Sequence, residues 1–251
     1  MIHQDSIFLI RIKIKMRRKK ITDKTEIKKE LYIKLEKKFN IAIIVPVSSK
    51  NRSWRNINQC FFINTLLNSF IKTCSNENNY NFYLGYDDDD NFFINNKNNI
   101  TTYFNNITGD NYSIKFIVIK NLKNKVGKIW SLLADIAREE NEYIYQLGDD
   151  IQMLTKYWDN YFINRLISSN NFGCVGPLDL KYNSTLITQS FVHIKHLEIF
   201  KNYFPDEIFN WKIDNWICYV YGAIADQDIK IINKGGVERY FPKHSDEEYR
   251  L

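Results

Sequence analysis

Tyr143-Ile144-Tyr145-Gln146-Leu147-Gly148-Asp149-Asp150-Ile151 is the stretch on which the reading of the chain turns. Its β-branched and aromatic run predicts a strand. The run ends in a glycine and two adjacent carboxylates. In an open α/β sheet, ligands sit beyond the carboxyl ends of the strands. Two acids there put hard oxygen ligands where a divalent cation and a phosphate can meet. The plainer alternative is a strand closing in a solvated acidic turn, since Asp favours turns. The flanking sequence bears on the choice.

Working back from this strand, Lys125 to about Arg138 predicts a helix with Ile129, Leu132, Leu133 and Ile136 apolar. Before it, Ile114 to Ile119 reads as a strand. An Asn-rich patch from Asn91 to Asn106 reads as a loop whose composition reflects a general excess of Asn, Ile and Lys. Phe82-Tyr83-Leu84-Gly85-Tyr86 is another strand, closed by Asp87-Asp88-Asp89-Asp90, for which a solvated acidic loop is the competing reading. Residues 56–74 predict an amphipathic helix with Ile57, Cys60, Phe61, Leu67, Ile71 and Cys74 on its inner face. First comes Ile41-Ala42-Ile43-Ile44-Val45-Pro46-Val47-Ser48, an unbroken apolar run expected of a parallel strand buried on both faces. Strands and helices thus alternate over residues 41–150, which predicts a mostly parallel sheet flanked by helices. Three strand ends carry polar groups able to reach a ligand: Ser48 and Arg52, then Asp87 to Asp90, then Asp149 and Asp150.

Beyond residue 150 the pattern is less regular. Helices are expected at Tyr157 to Ile167, Lys195 to Tyr203 and Ile213 to Ile224. Strands are expected near Phe172 to Pro177, at Leu186 to Ile194 and at Ile229 to Ile232. His193 and His196 span a predicted strand-to-helix junction with no third ligand nearby, which favours structural roles over a metal pair.

Composition narrows the function. With 251 residues, 44% of them hydrophobic, the chain has material for one sizeable core. The net charge of +6 is unevenly placed: residues 1–40 hold 13 Lys and Arg against 5 Asp and Glu, and the rest hold 22 against 24. The domain expectation is therefore a basic arm over 1–40 and a single domain over 41–251, with halves at 41–150 and 151–251. The arm is either solvated or drawn to an anionic membrane surface or nucleic acid. The slightly acidic body is a poor nucleic-acid surface, and no nucleic-acid partner is expected. No apolar stretch approaches the roughly 20 residues needed to span a bilayer. Four scattered cysteines without a CxxC suggest reduced, buried thiols, and a cytoplasmic protein that at most touches a membrane surface. The absence of GxxxxGK and GxGxxG removes support for ATPase and dehydrogenase readings.

At this point the sequence resembles the GT-A-fold glycosyltransferases, of the family-2 kind, over roughly residues 41–245. The resemblance rests on four features: Ile41 to Val47 with its Arg-bearing loop, a second strand ending in aspartates, Gly127-Lys128 opening a helix, and Gly148-Asp149-Asp150 where the family keeps its DxD-like metal motif. It implies an open, twisted, mostly parallel sheet and an irregular, acceptor-side C-terminal half. It also implies a metal-dependent transferase that moves a sugar from a UDP- or GDP-linked donor to a glycan or other hydroxyl acceptor. Gly148 replaces the first acid of a strict Asp-x-Asp, which leaves open which Asp holds the Mn²⁺ or Mg²⁺. By comparison with Glu-Asp-Asp forms, Asp150 is the metal ligand and Asp149 faces ribose or a metal-bound water. Pro46, Ser48 and Arg52 would line the base and phosphate pocket. Asp87 or Asp88 would meet the nucleobase, and Lys128 the sugar or diphosphate. The late His244 would bind metal or diphosphate. Trp211 and Trp216 either only pack or, as broad aromatic faces on the acceptor side, stack on sugar. Asp214 stands where inverting members place the general base; the competing reading is a helix N-cap.

Two other activities compete. A nucleotidyltransferase acting on a sugar phosphate would carry a Gly-rich loop near the first strand, and Val47 to Arg52 contains no glycine. The polymerase palm motif Tyr-x-x-Gly-Asp-Asp is also resembled by Tyr145 to Asp150, but the body is short and slightly acidic. A catalytically inactive carbohydrate-binding or scaffold module of the same fold is the non-enzymatic alternative.

Overall fold

A computed structural model of the chain describes residues 34, 35 and 37–235. Nearly all of the basic arm and the expected site residue His244 lie outside that range. The first strand, β1 (Asn40–Pro46), is buried at nearly every position. Ile41, Ile43 and Val45 enter one apolar cluster, and Ala42 and Ile44 enter a second on the other face. Alternation with a period of two supplies both faces, so a central strand needs an unbroken apolar run.

After a 3₁₀ turn at Ile57–Gln59 the chain runs through a π-helical stretch, Phe62–Leu67, into α1 (Asn68–Thr73). The buried side chains here are Phe62, Ile63, Leu66, Leu67 and Phe70, so the inner face is wider than the 56–74 pattern indicated. β2 (Asn79–Asp87) follows, and then α2 (Asn91–Ile107). This 17-residue helix replaces the expected Asn-rich loop. Asn has low helix propensity, but tertiary packing overrides it: Phe93, Ile100 and Phe104 are buried on one side. Asp90 caps the helix by accepting from the Phe93 amide at 3.3 Å.

β3 (Tyr112–Ile119), α3 (Val126–Ala137) and β4 (Tyr143–Gln146) complete the regular half. The second half contributes β5 (Ile151–Met153), α4 (Trp158–Ser168), β6 (Cys174–Val175), β7 (Pro177–Asp179) and β8 (Phe191–His193). It ends with α5 (Lys195–Phe200), α6 (Ile213–Tyr221) and β9 (Asp226–Asn233). The main sheet has the order β3-β2-β1-β4-β8-β6. Its first four strands are parallel, while β8 and β6 run antiparallel at the edge. The expected strand from Leu186 to Ile194 shrinks to β8; just before it the Ser190 carbonyl accepts from the Gln146 amide at 2.9 Å, and the Gln189 side chain reaches the turn after β4. A small sheet, β5-β9-β7, stands beside the main one.

His196 is structural, as expected. Its ring bonds the Tyr221 hydroxyl and the Tyr203 carbonyl, each at 2.8 Å, and burial lowers its pKa to about 4. The His193 ring accepts from the Lys195 amide at 3.1 Å. All four cysteines are thiols, and burial pushes Cys60 and Cys74 up to about 12. Among the described residues no helix is long and apolar enough to cross a membrane.

Candidate active site

Because β2, β1 and β4 are parallel neighbours, their carboxyl ends lie side by side. Beyond β4 the chain turns through Asp149 and Asp150 into β5. The turn is held from behind: Gly148 donates its amide to Gln189 Oε1 at 2.8 Å, and Trp130 donates its indole N–H to the Leu147 carbonyl at 3.3 Å. Asp149 is 2% exposed and Asp150 9%. Burial pushes both carboxyls above the ordinary range, and repulsion from Asp150 adds to the rise at Asp149. Arg52 offsets part of this at both acids, and Lys181 at Asp150. The Arg52 guanidinium lies over the Phe61 ring at 3.8 Å and near Trp54 at 5.1 Å, so aromatic faces fix it beside the acids.

The end of β9 closes over Asp150. The Lys234 amide donates to the Asp150 carbonyl at 2.9 Å. A Cβ on Gly235 would fall 1.6 Å from Asp150 Oδ2, an approach only glycine permits. Lys181 donates to the Gly235 carbonyl. Asp179, buried, accepts from the Lys181 amide at 2.9 Å and the Asn233 amide at 3.3 Å, joining β7 and β9 beneath this closure.

A cavity of about 380 Å³ opens in front of the acid pair. Of the expected site residues, it brings together Pro46, Asp149, Asp150, Trp211 and Asp214. Gly127 explains how the last two arrive. Its amide donates to the Phe209 carbonyl at 2.7 Å, and a Cβ there would lie 2.8 Å from the Ile208 carbonyl oxygen. Asn210 accepts from the Val126 amide at 2.9 Å. The start of α3 therefore grips the segment that leads into α6.

Asp214 lies in the first turn of α6, and Lys212 occupies the cap position, so Asp214 is not the N-cap. Its carboxyl makes no hydrogen bond or ion pair among the described residues. Burial raises it to about 7. A carboxylate poised near neutrality is suited to proton transfer.

The remaining expected residues lie outside the cavity. Ser48 is buried and accepts from the Lys50 amide at 3.2 Å. Asp87 is ion-paired to Lys50 at 2.6 Å, and Asp88 is exposed. Lys128 faces Asp206 at 3.6 Å and the Phe209 ring at 5.2 Å, away from the acid pair's lining. Trp216 packs against Phe200 and Phe204 with ring centroids 5.3 and 6.4 Å apart. Sequence reasoning missed Trp130, Tyr182, Gln189, Asn233 and Gly235. The one signal available, and only for Gly235, was the glycine pair Gly235-Gly236 just beyond the last strand.

The donor set suits a hard divalent cation: two adjacent carboxylates at a cavity wall, with phosphate oxygens and water to complete the shell. Among the described residues no group of three or more His, Cys, Asp or Glu side chains forms a metal cage. Any such ion would therefore depend on ligand oxygens for much of its coordination.

No family model and no curated protein matches the sequence. Solved structures do. S. aureus TarS, a GT-A nucleotide-sugar glycosyltransferase, superposes with a TM-score of 0.51 at 13% identity, over 80% of this chain and 38% of the TarS chain. The fold is GT-A-like. A structure of TarS 1–349 in complex with UDP gives a TM-score of 0.49 at 13% identity, over 79% of this chain and 59% of that one. The present chain thus spans well under two thirds of the length of these transferases.

Proposed function

We propose that the protein is a metal-dependent glycosyltransferase that moves a sugar from a nucleotide-diphosphate donor to an acceptor hydroxyl with inversion. The reading is supported above all by one cavity that is lined by Asp149 and Asp150 and also by Asp214. Asp150 would hold Mn²⁺ or Mg²⁺, with Asp149 turned to ribose or water. When bound, such an ion neutralises charge on the departing diphosphate. Arg52 adds fixed positive charge on the same side. Asp214 accepts the proton of the attacking hydroxyl, so the nucleophile strengthens as the glycosidic bond breaks. Trp211 and Trp130 give the cavity aromatic faces against which a sugar ring can stack. Pro46 borders the donor side.

Thermal unfolding with UDP, GDP, CMP and TDP, each with and without Mn²⁺, tests the reading. A ligand at 100 times its Kd adds about 2.7 kcal/mol. For a domain of this size that raises Tm by about 5–10 °C. One nucleotide stabilising only with metal is the expected result and names the donor class. No shift with any of them would leave a carbohydrate-binding or scaffold module as the better reading.

A further inference from the structure

A second cavity, of about 560 Å³, flanks the end of β9. Asn233 lines the acid-pair cavity, and Lys234, the next residue, lines this one. Its other polar walls include Asn64, Asn68 and Lys72 from the π-helical stretch and α1, with Gln152 and Lys156 from β5 and the turn after it. Asn64, Asn68 and Lys72 recur every four residues and so share one helical stripe. π-helical insertions such as Phe62–Leu67 are found frequently at functional sites.

Three features point to a ligand. Three elements each deliver one lysine to the same concavity, and no carboxylate among the described residues lines it. The side chains of Asn68, Lys72, Gln152, Lys156 and Lys234 make no hydrogen bond or ion pair among the described residues. No aromatic side chain lines the cavity, so nothing there would stack a nucleobase. Three like charges around one concavity repel one another, and an anion touching all three relieves that repulsion. Ammonium groups converging from different directions suit tetrahedral phosphoryl oxygens, whereas planar carboxylates match the guanidinium fork of Arg.

We propose that this cavity binds a multivalent phosphate anion, whose linked phosphoryl groups meet Lys72, Lys156 and Lys234 together. The site is separate from the acid pair and stands whether or not the protein transfers sugars.

The test is isothermal titration of the full chain with inorganic tripolyphosphate, in metal-free buffer of moderate ionic strength. The basic arm also attracts polyanions, so two double variants are compared: K72Q/K156Q in the cavity and K19Q/K20Q in the arm. Wild type is expected to bind one equivalent at the cavity. K72Q/K156Q should weaken that step at least tenfold, and K19Q/K20Q should change it less than twofold. Thermal unfolding verifies that both variants fold; Lys72 and Lys156 are exposed, so their replacement removes no buried packing. Equal affinity for wild type and K72Q/K156Q, or equal weakening by both variants, would overturn the proposal.

Discussion

Replacing Asp214 with Asn separates two consequences of burying that carboxyl. Its pKa rises from 3.8 to about 7 through desolvation. Below pH 4 the group is protonated in both the folded and the unfolded chain, so Asp and Asn contribute alike. As the pH rises from 4 to 7 the unfolded chain releases this proton before the folded one does, and stability is lost across that window. Each pH unit is worth about 1.4 kcal/mol, so the full displacement is about 4 kcal/mol. Asp214 keeps some solvent contact, and screening lowers this to about 2–3 kcal/mol. Asp214→Asn should therefore match wild type in Tm at pH 4 and exceed it at pH 8 by roughly 4–12 °C. Transfer should respond in the opposite sense. Wild-type kcat should climb as the pH rises toward 7, and the Asn variant should turn over about 10²–10⁴-fold more slowly while still binding donor. Calorimetry at the two pH values and a pH–rate profile are the assays. An equal Tm difference at pH 4 and pH 8 would refute the desolvation argument, and undiminished transfer would retire Asp214 as base.

Three further substitutions probe the same architecture. Asp150→Asn should abolish Mn²⁺-dependent stabilisation by the donor nucleotide with little change in the unliganded Tm; a variant that still responds to metal would move the ligand role elsewhere. Gly235→Ala places a methyl 1.6 Å from Asp150 Oδ2, so the end of β9 must lift; nucleotide-and-metal stabilisation should fall at least tenfold in affinity, as read by Mn²⁺ titration. Asp159 is fully buried and accepts from the Ser75 amide at 2.9 Å, Ser75 Oγ at 2.6 Å, Asn78 Nδ2 at 2.9 Å and the Tyr80 hydroxyl at 2.6 Å. Asp159→Ala strands those donors and should cost about 3–5 kcal/mol, seen as a Tm loss of roughly 6–20 °C.

The sequence carried the first half of the fold because burial there is periodic. β1 alternates between two apolar clusters, and α3 repeats its apolar residues at helical spacing, so their residue types alone reveal them. α2 was hidden because the evidence for it lies in tertiary contact. Three buried side chains, Phe93, Ile100 and Phe104, outweigh a run of asparagines whose propensity argues for a loop. Asp90 was visible as one of four acids, but its partners were not. It accepts from the Ser49 amide at 2.7 Å and from Ser49 Oγ at 2.6 Å, which ties the β1 loop to the start of α2. Lys128 and Trp216 were singled out by position along the chain, and their side chains meet Asp206, Phe209, Phe200 and Phe204 instead of the cavity. Position along a helix sets which stripe a residue occupies; what lies opposite that stripe is decided by packing.

The acid pair shows why strand ends reveal only half of such a site. Asp149 and Asp150 stand where a parallel strand stops, a place that topology alone identifies. Their shape depends on residues much later in the chain, near 180 and near 235. Lys234 bonds the Asp150 backbone, Gly235 lies against its carboxylate, and Lys181 holds the Gly235 carbonyl. Asp179 fastens β7 to β9 beneath them. The second half of the chain is thus the clamp that fixes one carboxylate in place, and its short, irregular strands follow from that task. A strand of three residues such as β7 gains little from its own pairing. It persists because Asp179 accepts backbone donors from both sides of the closure. Weakening that clamp should loosen Asp150 before it unfolds the sheet, so loss of nucleotide-and-metal binding should precede loss of secondary structure as denaturant is added.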